Sequence, residues 1–181
     1  MDQRKVRSLQ SVRRFNFERM NRYQSVAEHS LMVAFLADEL ATMAGCSDQD
    51  RLIVLRAAMY HDAPEAVTGD IPFLVRRKLG LGAAAALDVE AAKELGLPAF
   101  HVPFELQKVV DFADVLELAM YLQEEVRSGN QGMRRIWLET LKRMSHYPDE
   151  WQGWARDLLG IRPQDLSFAE AGEDLPDAIK H

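Results

Sequence analysis

At 181 residues, 48% of them apolar, the chain is sized for one domain with a sizeable core. Its net charge of −6 is unevenly spread: residues 1–22 hold seven Arg or Lys against two acids, a local +5 that leaves −11 for the remainder. An acidic body argues against general nucleic-acid binding, where phosphate neutralisation supplies most of the affinity, and no window approaches the 18 or so apolar residues of a membrane span. Cys46 is the only cysteine, so there is neither a disulfide framework nor a thiolate zinc site. The expected setting is a reducing cytoplasm, and the basic N-terminal arm suits a small phosphorylated ligand.

The chain reads as helix after helix. Residues 1–13 form a short first helix through Val6, Leu9 and Val12. Arg14-Phe15-Asn16-Phe17 then interrupts the helical period. The two aromatics either cover the core or flank a planar ligand beside Arg14. Ser25 with Glu28 three residues on is a capping box, and His29, Val33, Leu36, Leu40 and Met43 recur at helical spacing until Gly45. His29 thus points inward from the first turn of a buried helix, where a lone histidine is more often a packed core residue than a ligand. A second helix starts near Ser47-Asp48 and carries Val54, Ala58, His61 and Glu65 on one stripe, with Pro64 breaking the regular turn near His61-Asp62. Asp62 with Glu65 also fits a capping box for a short helix beginning at Pro64, which would make Asp62 a cap and nothing else.

Residues 81–95 are alanine-rich and helical by propensity, closed by Gly96-Leu97-Pro98. A long helix follows over about 104–128, with Val110, Asp114, Leu118 and Tyr121 on one face. That face places Asp114 in the interior, where an ionised carboxylate is costly unless paired or metal-bound. Helices over roughly 131–144 and 149–159 carry Trp137, Trp151 and Trp154 and read as packing. We expect a helical domain over 1–160 and an acidic, loosely ordered tail over 161–181.

Taken singly, His29, His61, Asp62 and Asp114 would each be dismissed. Three helices that each turn a metal-type ligand inward are harder to explain by coincidence. In order, the chain carries Arg14-Phe15, then Ser25-Val26-Ala27-Glu28-His29-Ser30, then His61-Asp62-x-x-Glu65-x-x-Thr68-Gly69-Asp70, then Ala113-Asp114. Over roughly residues 9–130 this resembles the HD-domain phosphohydrolases, in particular the branch of YfbR-like 5′-deoxynucleotidases. The spacings, 32 residues from His29 to His61 and 52 from Asp62 to Asp114, look like the compact phage members of that branch, which include dATP triphosphohydrolases. Phe15 stands where the bacterial nucleotidases carry a tryptophan.

The resemblance implies an all-α, single-domain HD-type helical bundle with a buried metal site. Its ligands would be His29, His61, Asp62 and Asp114, and its cofactor one divalent ion, with a second such as Mg left open. Two neutral imidazoles and two carboxylates balance a divalent charge, and mixed N/O donors suit Zn, Co, Mn or Fe. Such an ion lowers the pKa of a bound water from about 15.7 to about 7. Glu65 would serve as the catalytic acid or base. Arg14 and Arg76 would bind phosphate oxygens, Asp70 would accept the sugar 3′-hydroxyl, Phe15 would lie against sugar or base, and Phe17 would face the base edge.

The expected reaction is cleavage of the 5′-phosphoester of 2′-deoxynucleotides, releasing triphosphate or phosphate, with dATP or dAMP favoured. A broad 5′-deoxynucleotidase acting on monophosphates fits the same motifs. The rival from another class is a non-catalytic nucleotide-binding helical domain. The resemblance also implies a homo-oligomer, a dimer or larger, acting on a small deoxynucleotide; charge and hydropathy give no expectation of a nucleic-acid or membrane partner. A phage-encoded chain would work in the host cytoplasm.

Overall fold

The computed structural model describes residues 1–162, and the expected acidic tail therefore lies outside the described residues apart from Ile161 and Arg162. Ile161 itself is buried, its N–H donating to the Arg156 carbonyl. The described residues are helical, with a single isolated β-bridge between Arg13 and Ser25. No helix among them is long and apolar enough to cross a membrane. In chain order the helices are α1 (Gln3–Arg7), α2 (Val26–Met43), α3 (Asp48–Tyr60), α4 (Glu65–Thr68), α5 (Phe73–Leu79), α6 (Leu81–Leu95), α7 (Phe104–Arg127), α8 (Arg134–Met144) and α9 (Asp149–Leu159). Two compact units are distinguished, one to Val110 and one from Asp111.

In the first unit the frame is α2 against α3. The capping box forms: the Glu28 N–H donates to Ser25 Oγ and the Ser25 N–H to Glu28 Oε2 at 2.7 Å. A cap of this kind is worth about 1 kcal/mol. Val33, Ala37, Leu40 and Ala41 are fully buried, whereas Met43, read from its spacing as a core residue, is 39% exposed at the last residue of the helix. Ser47 caps α3 by accepting from the Asp50 N–H. A fork from Arg51 to Asp38, with two contacts of 3.0 Å, ties α3 to α2.

The first helix is shorter than its apolar spacing predicts. It ends at Arg7 and tightens into a 3₁₀ turn over Ser8–Gln10, where Ser8 Oγ donates back to the Lys5 carbonyl. Leu9 of that turn joins Val26 and Ala63 in a small core flanked by Val12, Tyr60 and Leu97. This cluster matters for the site, because Val26 opens α2 three residues before His29 and Ala63 directly follows Asp62.

In the second unit α7 is buried more widely than a single stripe: Phe112, Ala113, Val115, Leu116, Ala119 and Leu122 are all at or near zero exposure. Trp137 of α8 is fully buried, and Phe112 packs against Tyr147 and Trp151 at ring separations of 4.9 and 5.5 Å. Gln123 donates to the Leu159 carbonyl, holding the end of α9.

Candidate metal centre and substrate pocket

His29 occupies the first turn of α2 and is fully buried. His61 lies just past the last residue of α3, still in helical conformation. Its Nδ1 is 2.6 Å from the Ala58 carbonyl, and since that oxygen can only accept, Nδ1 carries the proton and Nε2 presents a lone pair. The two Nε2 atoms lie 3.3 Å apart. Asp62 Oδ2 is 3.3 Å from His61 Nε2 and 3.5 Å from His29 Nε2.

Asp62 is not spent as a helix cap. No side chain caps α4, whose start is held by the Glu65 N–H donating to the Asp62 carbonyl. The carboxylate faces the imidazoles instead. Burial pushes the Asp62 carboxyl up, but His61, then His29 and Arg14, outweigh it and hold the group well below the usual carboxylate range.

Glu65 behaves in the opposite way. It is 7% exposed at the start of α4, and its Oε2 has no hydrogen-bond partner. Burial first, then the nearby Asp62 and Asp70 carboxylates, pushes its pKa up to about 8. Neighbouring carboxyls driven in opposite directions are the arrangement by which one site holds both an acid and an anion near neutral pH.

Asp70 is reached through Gly69, whose φ of 70° turns the chain at the end of α4. Asp70 Oδ2 accepts the Phe15 N–H at 2.8 Å, and the Asp70 carbonyl accepts Asn16 Nδ2 at 3.0 Å. Burial raises the Asp70 carboxyl above its ordinary value despite that N–H and the nearby Arg14. Phe15 sits at φ 54°, the only non-glycine residue with positive φ among those described. For a bulky side chain that conformation costs of order 1–3 kcal/mol.

Arg14 Nη1 lies 2.7 Å from His29 Nδ1 and 3.0 Å from Gln24 Oε1. A guanidinium has no lone pair to offer, so Nδ1 is the acceptor in this arrangement. Arg76, expected at the phosphate, makes a bidentate fork to Asp88 of α6 at 2.8 and 2.9 Å. Phe17 is 79% exposed and covers no core; Phe15 is half-buried.

Within the first unit the structure thus gathers His29, His61 and Asp62 closely and brings Glu65, Asp70, Arg14 and Phe15 around them, while Asp114 stands on α7 of the second unit. The donor chemistry suits a divalent cation: lone-pair nitrogen, carboxylate oxygen and a buried floor. Gln24, Asn16 and Asp88 escaped the sequence reading. Only Gln24 carried a signal, as a polar residue directly before the capping box.

The family model described as 5′-deoxynucleotidase YfbR-like matches residues 4–152. A 5′-deoxynucleotidase of Pasteurella multocida is 35% identical over 122 residues, 65% of this chain and 60% of that protein. One of Photorhabdus temperata is 33% identical over 123 residues with the same coverage. The chain thus spans about 60% of the length of the curated relatives it matches. Among solved structures, a structural-genomics target has a TM-score of 0.68 at 25% identity, covering 87% of this chain and 90% of that one. The cyanophage S-2L HD phosphohydrolase DatZ, solved with dA and one catalytic Zn2+ ion, has a TM-score of 0.65 at 17% identity, covering 87% and 94%. The latter likeness concerns the fold, that of an HD phosphohydrolase, whereas the family match runs through every motif from Arg14 to Asp114: this chain belongs to the YfbR-like 5′-deoxynucleotidases.

Proposed function

We propose that the protein hydrolyses the 5′-phosphoester of 2′-deoxynucleotides with a divalent cation held by His29, His61, Asp62 and Asp114. The observation that carries this reading is the pair of imidazole Nε2 atoms 3.3 Å apart with the Asp62 carboxylate beside both. The family membership and the Zn2+ and dA of the DatZ structure support it. When bound, the cation supplies Lewis-acid charge at the phosphate and an acidified water able to attack at neutral pH.

The chain's own groups do the rest. Arg14 offers fixed positive charge to phosphate oxygens. Glu65, driven toward its protonated form, hands its proton to the 5′-oxygen as the P–O5′ bond breaks, and the proton shed by the water whose oxygen joins phosphorus restores it. Asp70, oriented by the Phe15 N–H, accepts the sugar 3′-hydroxyl. The half-buried Phe15 ring, beside the Arg14 guanidinium at 6.0 Å, fills the space a 2′-hydroxyl would need. Arg76, already forked to Asp88, acts at most through its long-range field.

Within this reading we favour dATP or dAMP, on the compact spacing of the ligand motifs, over a broad monophosphate nucleotidase. One domain over residues 1–160 is expected to suffice. A homo-oligomer is supported by Leu31 and Phe35, which leave 55% and 63% of their surface exposed one turn apart on α2. The test is product analysis on the four dNTPs and their monophosphates with Zn, Co, Mn and Mg in turn. Release of deoxynucleoside is expected; survival of every deoxynucleotide while another phosphoester is cut would overturn the assignment.

A further inference from the structure

We infer that Gln24 is a positioning residue for Arg14, fixing the direction in which that guanidinium meets an anionic phosphoryl group. The inference rests on the phosphate-binding role given to Arg14 above, but it is carried by geometry around Gln24 itself.

Gln24 is 7% exposed, an unusual location for an uncharged amide unless its polar atoms are used. It holds Arg14 at both ends. The Arg14 N–H donates to the Gln24 carbonyl at 2.9 Å, and Arg14 Nη1 donates to Gln24 Oε1 at 3.0 Å. The main-chain contact belongs to a short antiparallel pairing completed by the Arg13–Ser25 bridge and by the Val26 N–H donating to the Val12 carbonyl. That pairing joins the arginine's backbone to the capped start of α2, the most firmly specified point in this region.

A free arginine side chain has about 2 kcal/mol of rotamer entropy to lose on being fixed. Gln24 removes much of that freedom before a ligand arrives, which is how a fixed cation gains over a mobile one. The same Nη1 also lies 2.7 Å from His29 Nδ1, so Gln24 shares the task of orienting the guanidinium with the cluster itself.

The experiment measures orthophosphate affinity by calorimetry on the full chain loaded with Mn2+, in a double-mutant cycle. Gln24→Leu removes Oε1 at similar volume and is expected to weaken orthophosphate about 10-fold, the size of losing one hydrogen bond to a charged group. Gln24→Glu keeps an acceptor and is expected to stay within about 2-fold of the parent, on the same scale. In an Arg14→Ala background, Gln24→Leu should change nothing further. Should the leucine variant not fold, Gln24→Asn withdraws the acceptor by one methylene and carries the same comparison.

Equal losses with and without Arg14, or no loss beside an intact Arg14, overturn the inference. Turnover of dAMP and dATP measured in parallel separates it from the activity assignment. Phosphate coupling without turnover leaves the positioning role standing and removes the nucleotidase reading; turnover without coupling does the reverse.

Discussion

The imidazole cluster and the Arg14–Phe17 loop solve the same problem, holding side chains still, by different means. His29 and His61 sit on or at the end of regular helices, one fully buried and the other with its tautomer set by a helix carbonyl. The loop has no repeating pattern to lean on. It is held by hydrogen bonds to Gln24 and Asp70, two to each, and includes a phenylalanine at φ 54°. Rigid elements therefore carry the chemistry, which admits little variation. On the proposed reading the strained, tethered segment carries the choice of substrate.

If that division is right, damage to the cluster abolishes the reaction and damage to the loop redirects it. The largest effect is expected from His61→Ala. Losing one of two imidazole donors should release the cation and lower turnover by about 10³-fold, within the range for removal of a key catalytic group. Metal content per chain after desalting checks the first part and initial rates the second. A His61→Ala protein that keeps its ion and its rate would place the cation elsewhere.

Glu65→Gln separates chemistry from metal holding. Turnover should fall about 100-fold, with metal content unchanged, because Glu65 is given no ligand role. The same variant tests electrostatics without any substrate. A carboxyl whose folded pKa is raised binds its proton more tightly in the folded state, so its contribution is fully present below the ordinary value near 4.5 and is lost as pH rises through about 8. The chelated wild-type protein should lose up to a few kcal/mol of stability across that window. Thermal melts at pH 5 and pH 8 should show a smaller loss for Glu65→Gln, with Asp70, also raised, supplying what slope remains. Asp62 has the opposite sign: its lowered pKa gives stability that disappears on acidification. Equal slopes in the wild type and the variant would mean that Glu65 is ionised in the folded protein.

The cluster was legible in the chain because its determinants are local. Ser25 and Glu28 specify where α2 starts, and that start puts His29 inside; Pro64 specifies where α3 cannot continue, and that break frees Asp62. The loop was legible only as an interruption. Its conformation depends on Asp70, 55 residues from Phe15 in sequence, and no periodicity reports a contact of that range. Helix α5, which begins after Pro72, and the Arg76 fork to Asp88 were missed for related reasons. Seven residues give too few turns for an apolar stripe, and an ion pair between helices depends on how they pack. The short first helix predicted for residues 1–13 stops at Arg7, where Ser8 turns its hydroxyl back onto the main chain, a competition that apolar spacing does not register.

Phe15 is the position where the loop can be altered without touching the cluster. Phe15→Ala removes the ring but keeps the Cβ and the strained backbone, so the N–H to Asp70 should persist. Deoxy-over-ribo preference should drop about 10-fold, the scale expected when one shape contact in a pocket is lost. Rates on deoxynucleotides should move less. Phe15→Gly removes the ring and also the backbone penalty at φ 54°, and it should match the alanine variant in selectivity while melting higher. Paired kcat/KM values on dAMP and AMP, with melting curves, check both. Equal selectivity in all three proteins would show that the ring does not face the sugar.

The smallest effect is reserved for Arg76. Its fork to Asp88 uses both terminal nitrogens, and the Asp88 charge opposes the field that Arg76 sends to Glu65 and Asp70. Asp88→Asn should release the guanidinium and let its field act on the phosphate, lowering KM for a triphosphate by about 2- to 3-fold, the size of a partly screened surface charge. Monophosphate, with fewer charges, should respond less. Salt decides whether the change is electrostatic: the gain should shrink between 50 and 300 mM NaCl, values chosen to span a Debye length falling from about 14 to about 6 Å. A loss of affinity instead would mean that Asp88 places Arg76 for direct contact, and the fork would then belong with Gln24 and Asp70 among the tethers that shape the pocket.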